Sequence, residues 1–186
     1  KGIPAADADG DNQPDAWKLV TTREEFQSLL NSQPPKRLLG ITPVHSTLQA
    51  DRQGEEKQRP FEQPRLETSP TMAELMAAAL HTLSQDEDGF VLMAEGGAID
   101  WASHANHSGR AIEEQIDFDN AVNYAINWVE QNSNWDETLM IVTSDHECGY
   151  LTGHGSNPEI MPVQNNGKET QPGMKWQSGG HTNQLV

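Results

Sequence analysis

The apolar residues of this chain fall into two kinds of pattern. Met72, Leu75, Met76, Ala79, Leu80 and Leu83 recur at three- and four-residue intervals and form one helical face, with Thr71 and Glu74 at capping-box spacing, so the pattern predicts a helix over 71–85. Ile112, Ile116, Val122, Ile126 and Val129 predict a second, longer helix over 110–131. A shorter one is predicted over 22–31, where Thr22 and Glu25 repeat the capping-box spacing, Phe26, Leu29 and Leu30 face one way, and Pro34-Pro35 stops the run. The other pattern is continuous. Phe90–Ala94 and Thr138–Thr143 are unbroken apolar runs, as in strands buried on both faces, and residues 37–41 read as a short strand.

Strand, long helix and strand over 90–143 predict a βαβ unit, and hence a parallel sheet in an α/β fold. The polar segments fill in the rest. Residues 1–18 are an acidic opening, 45–68 read as an exposed charged loop, and 147–181, rich in Gly, Asn, Pro and Gln, read as a long ordered loop. No internal repeat is present. The expected division is a polar segment over 1–68 and a metal-binding part over 71–186.

Composition narrows the function. The 186 residues carry 28 Asp and Glu against 12 Lys and Arg, a net charge of −16, which excludes a basic nucleic-acid surface. No run approaches the roughly 18 apolar residues of a membrane span. The single cysteine, Cys148, excludes a disulfide within the chain. The chain begins at Lys1 without Met and ends at Val186 in what reads as structure, and the expectation is a processed or excised fragment.

The chemistry sits after the two apolar runs. Glu95-Gly96-Gly97-Ala98-Ile99-Asp100-Trp101-Ala102-Ser103-His104 follows the first, and Ser144-Asp145-His146-Glu147 follows the second. In open α/β sheets, ligands bind beyond the carboxyl ends of strands. Asp100 and His104 are four apart, so a helical turn puts them on one face. Mixed Asp/His ligation suits zinc, and a carboxylate such as Glu95 suits a harder ion such as magnesium. Such cations leave positions open for substrate oxygens and suit displacement at phosphorus. Bound divalent ions would also invert the local field of so acidic a chain. Glu147 reads either as support for a ligand or as a surface carboxylate. His107 and His154 read as loop histidines, Trp128, Trp135 and Trp176 as packing anchors, and Cys148 either as a soft metal donor or, more often, as a small buried filler beside the ligands. Asp7, Asp9, Asp11 and Asp15 occupy positions 1, 3, 5 and 9 of a calcium-loop pattern, with Asn12 in place of Gly and Lys18 in place of the closing Glu. An acidic surface turn is the competing reading.

The motif Glu95-Gly96-Gly97-Ala98-Ile99-Asp100-x-x-x-His104, followed by Thr143-Ser144-Asp145-His146 and then Gly180-His181-Thr182, resembles the C-terminal half of the bacterial alkaline phosphatases, in the disulfide-free branch. The resemblance is strong over 71–186 and looser before it. It implies part of a doubly wound, mostly parallel sheet. It also implies a first zinc on Asp100, His104 and His181, a second zinc on Asp145 and His146, and magnesium on Glu95. The implied activity is hydrolysis of phosphate monoesters through a phosphoserine, with an alkaline optimum. A periplasmic or secreted location and a candidate homodimer follow from the same resemblance. Trp101 stands where other branches carry a residue that touches phosphate indirectly.

Several family features have no counterpart here. Ser69, Ser103 and Ser144 are not in the family's nucleophile context, and Arg110 is not in that of its phosphate clamp. The nucleophile and the remaining ligands are therefore expected on the N-terminal half of the enzyme, which would be this chain's partner, and the chain alone is expected to be inactive. A phosphodiesterase or sulfatase on the same scaffold and a non-catalytic metal-binding module are the alternatives. His181 before Thr182 favours the monoesterase.

Overall fold

A computed structural model of the chain describes residues 6–7, 10–45, 49–50, 52–54, 59–157, 159–168 and 170–182. It is α/β, and its contacts divide it into two compact units, one made of residues 1–48, 67–95 and 117–138 and the other of 49–66, 96–116 and 139–186.

The first unit holds a small parallel pair, β1 (Lys18–Val20) and β2 (Leu38–Gly40), joined through helix α1 (Arg23–Leu29). Helix α2 (Met72–Leu83) packs against α1, and residues from 117 onward of helix α4 (Ser108–Asn132) belong to the same unit. The core is Val20, Phe26, Leu29 and Ala78, with Leu38 and Leu75 against it. Both capping boxes form. Thr22 and Thr71 each accept from the backbone of the glutamate three residues on, and that glutamate reaches back to the cap. Asp117 on α4 adds a further acceptor for the N–H of Met72, at 3.0 Å.

Glu74 does more than cap its helix. Its carboxylate also accepts from Arg23 at 2.9 Å and from Gln27 at 2.7 Å, which ties α1 to α2. Burial alone would raise its pKa, but the hydrogen bonds from Arg23, Gln27 and the Thr71 N–H outweigh burial and hold the carboxyl below its ordinary value. Because the folded-state pKa is depressed, the stabilisation is present above the unfolded value, about 4.3, and is lost as pH falls through the folded one. Denaturant melts of Glu74→Gln and wild type are therefore expected to differ at neutral pH and to converge in acid.

The second unit contains α3 (Ala98–His104), the first nine residues of α4, and an antiparallel pair, β3 (Leu151–Gly153) with β4 (Met174–Trp176). Its segment 49–66 is held to α4 through buried charge. Arg52 and Arg110 both pair with Glu113, whose carboxylate also accepts from the Phe61 N–H at 2.6 Å. Arg52 further donates to the carbonyls of Gln49, Gln63 and Pro64. Burial, and then the neighbouring Arg52, lower the pKa of the Arg110 guanidinium. Arg110 is committed to this network, with Gln53 O as a further partner at 2.9 Å.

The helices predicted over 22–31, 71–85 and 110–131 are present as α1, α2 and α4, and the strand over 37–41 as β2. The βαβ unit over 90–143 requires correction. Neither 90–94 nor 138–143 is a strand, and most of their side chains are exposed, Val91 to 95% and Leu139 to 84%. A strand needs partners for its backbone groups, and among the described residues nothing pairs with either segment. The loop expected over 147–181 contains β3 and β4.

Candidate metal centre

The centre is built on α3 and on two chain segments that flank the β3–β4 ladder. On α3 the four-residue spacing sets His104 Nε2 3.6 Å from Asp100 Oδ2. The backbone leaves the site after residue 150, runs through β3 and β4, and returns at 177–182. Gly149 receives the returning chain: its carbonyl accepts from Gln177 N and Ser178 N at 3.1 Å, and its N–H donates to Gly180 O at 3.1 Å. Only glycine fits there, because φ is +78° and a Cβ would meet the Trp176 ring at 2.4 Å. This closure brings His181 Nε2 to 3.2 Å from Asp100 Oδ1, across 81 positions of sequence.

Asp100, His104, His181 and Cys148 each offer a donor atom, and the four atoms lie within 4.8 Å of one another. The imidazoles of His104 and His146 are oriented for ligation through Nε2. His104 Nδ1 lies 2.9 Å from Gly179 O, and a carbonyl only accepts, so Nδ1 carries the hydrogen and the Nε2 lone pair is available. His146 has the same arrangement, with Nδ1 2.9 Å from Glu147 O and Nε2 3.3 Å from Asp145 Oδ2. The His146 and His181 rings are 3.7 Å apart between centroids, so the Asp145–His146 pair adjoins the first cluster.

Cys148 is placed differently. Its Sγ is directed at the backbone oxygen of Asp100, 3.8 Å away, and its thiol is pushed up to about 12, first by burial and then by Asp100. It is a neutral donor against the ligand helix. A carboxylate and two imidazoles suit a tetrahedral zinc site with an open fourth position, so the residues present fit that ion.

The other candidates are not among these four donors. Glu95 is exposed and belongs to the first unit. Trp101 is 55% exposed. Ser103 is buried and donates to Ile99 O at 2.7 Å, Ser69 is buried, and Ser144 donates to His146 O at 2.7 Å. His154 is exposed, whereas His107 accepts from Arg110 N at the start of α4. Trp128 packs edge-on against Phe90, and Trp135 is largely exposed. In the acidic opening, Asp7 accepts from Gly10 N and Asn12 N, while Asp11 and Asp15 both face Lys36 Nζ, at 3.2 and 3.1 Å. A calcium ion would have to displace that ammonium. Asp9 lies outside the described residues.

Two contributors, Gly149 and Gly179, were not among the sequence candidates. Both act through the backbone, and their signal is the glycine adjoining each ligand motif.

The alkaline phosphatase family matches residues 7–183. The membrane-bound alkaline phosphatase of Bombyx mori is 38% identical over 138 residues, which cover 74% of this chain and 22% of that one. A cold-active alkaline phosphatase from a psychrophilic Shewanella superposes with TM-score 0.56 at 27% identity, covering 80% of this chain and 32% of that one. A mutant of TAB5 alkaline phosphatase with Mg bound in the M3 site gives 0.55 at 26%, covering 90% and 43%. The chain thus spans between about a fifth and two fifths of the length of these proteins. Matched over nearly its whole length, it belongs to the alkaline phosphatase family.

Proposed function

We propose that this chain supplies the zinc-binding part of an enzyme that hydrolyses phosphate monoesters through a phosphoserine, the serine lying on a part of the enzyme outside this chain. The observation that carries the reading is the convergence of Asp100, His104 and His181 in a chain of this family. Zinc bound there would act as a Lewis acid toward a phosphoryl oxygen. Asp145 and His146 would hold a second zinc, and the 3.7 Å between the His146 and His181 rings supports two neighbouring sites. Glu95 would hold magnesium. The chain's own groups fix the ligands: Gly179 O and Glu147 O hold the Nδ1 hydrogens, and the helical turn of α3 sets the distance from Asp100 to His104.

Within this reading, residues 71–186 are the metal-binding part. The exposed runs 90–94 and 138–143 become strands of a doubly wound sheet only beside strands from outside the chain. An exported location accompanies the family reading. Among the described residues, no helix is long and apolar enough to cross a membrane.

The test is hydrolysis of p-nitrophenyl phosphate at alkaline pH by the full-length enzyme, before chelation, after it, and with zinc and magnesium restored. Activity that disappears and returns with metal is expected. The 186-residue chain alone is expected to turn over none. Inactivity of the metal-loaded full-length enzyme contradicts the reading and turns attention to bis-p-nitrophenyl phosphate and sulfate esters.

Cys148 favours a second reading, a structural site closed by four ligands. The two are separated by Cys148→Ser. With Sγ directed at Asp100 O, zinc affinity is expected to be unchanged, and a cobalt-substituted chain to lack sulfur-to-metal charge transfer. A thiolate band that disappears in the variant would support the closed site.

A further inference from the structure

We infer that Glu147 is a positioning residue whose carboxylate latches the His181 segment onto the Asp145–His146 segment. The inference rests on the metal-centre reading above. Glu147 follows His146 directly, and its two carboxylate oxygens are used in different directions. Oε2 accepts from Tyr150 N at 3.0 Å and closes the turn that begins at the ligand pair. Oε1 accepts from the N–H of Thr182, 35 positions further on and next to His181. One side chain thus binds the segment that carries His146 and the segment that carries His181.

The turn it closes is not one the backbone favours. Gly149 and Tyr150 both have positive φ, +78° and +45°, and Tyr150 has a side chain to accommodate. A charged acceptor on the Tyr150 N–H holds that conformation, and with it the Gly149 carbonyl that receives Gln177 and Ser178. The Glu147 carboxyl is held below its ordinary value, chiefly by the Thr182 side chain and then by the N–H groups of Thr182 and Tyr150. Without the latch, the returning segment would keep the Gly149–Gly180 bond but lose the tie at the residue next to His181. Groups that orient metal ligands in this way are worth about 10–100-fold in metal affinity.

The experiment is calorimetric zinc titration of the metal-free full chain as wild type, Glu147→Gln and Glu147→Ala, with denaturant melts of the metal-free forms and far-ultraviolet dichroism to check the helices. Glu147→Gln preserves shape and one carbonyl acceptor, so the inference stays testable where the alanine variant folds poorly. The dissociation constant is expected to rise about 10–100-fold in Glu147→Ala and less in Glu147→Gln, with metal-free melting midpoints close to wild type. Variants that bind zinc as tightly as wild type overturn the inference. So does a loss of affinity matched by an equal loss of metal-free stability, since Glu147 would then be merely structural. A wild-type chain that takes up no zinc overturns the metal-centre reading itself, and the latch with it.

Discussion

Replacing Asp100 with alanine is expected to abolish zinc binding at the site it forms with His104 and His181. Asp100 is the one carboxylate in the cluster, and both of its oxygens are engaged, Oδ1 with His181 at 3.2 Å and Oδ2 with His104 at 3.6 Å. Its removal takes away the negative charge that offsets the cation and leaves two imidazoles, and the effect should exceed the about 10–100-fold typical of losing a supporting residue. Helix α3 should survive, because alanine is the stronger helix former. Competition with a chromophoric chelator measures the loss, and far-ultraviolet dichroism checks the fold. Zinc affinity within a few-fold of wild type would remove Asp100 from the centre.

Glu113→Ala should produce the largest loss of stability. Arg52, Arg110 and Glu113 are almost fully buried, with side chains 1%, 2% and 5% exposed. Removing the carboxylate leaves two guanidiniums facing each other in a site from which water is largely excluded, and strips the acceptor from the Phe61 N–H. Breaking a buried pair from one side costs about 3–5 kcal/mol, and the second arginine places this case toward the upper end. Burial and Arg52 disfavour the Arg110 cation, and Glu113 and Glu114 offset them. Replacing all three residues with apolar side chains of similar volume is expected to cost less, because their three charges are removed together. Denaturant melts of both variants measure the difference, and proteolysis within 49–66 should rise in Glu113→Ala. A loss below about 1 kcal/mol, the range of exposed pairs, would show the network to be solvated.

What the sequence made legible follows the range of the interactions involved. Helices α1, α2 and α4 are coded locally, by apolar residues every three or four positions and by Thr–Glu caps, and these signals survive whatever the rest of the chain does. The pairing of Asp100 with His104 is of the same kind. Strands are not. Phe90–Ala94 and Thr138–Thr143 have the composition of buried strands, but a strand exists only beside another, and the described residues offer neither segment a partner. In the converse case, β3 and β4 are three residues each, too short for alternation to register, yet they carry the excursion that returns His181 to Asp100. Glu147 could be read from sequence as support for a ligand, but not its partner, because Thr182 becomes a neighbour only once that ladder forms.

The measurement that tests the central claim most directly is a cobalt titration of the metal-free chain, read in the visible spectrum. Cobalt adopts the geometry of the zinc site and reports it. The account predicts intense absorption of a tetrahedral site from the first additions, without a thiolate band, displaced by zinc and absent in Asp100→Ala. A spectrum that stays that of the hydrated ion would contradict it, and would leave Asp100, His104 and His181 as ion pairs rather than a metal centre.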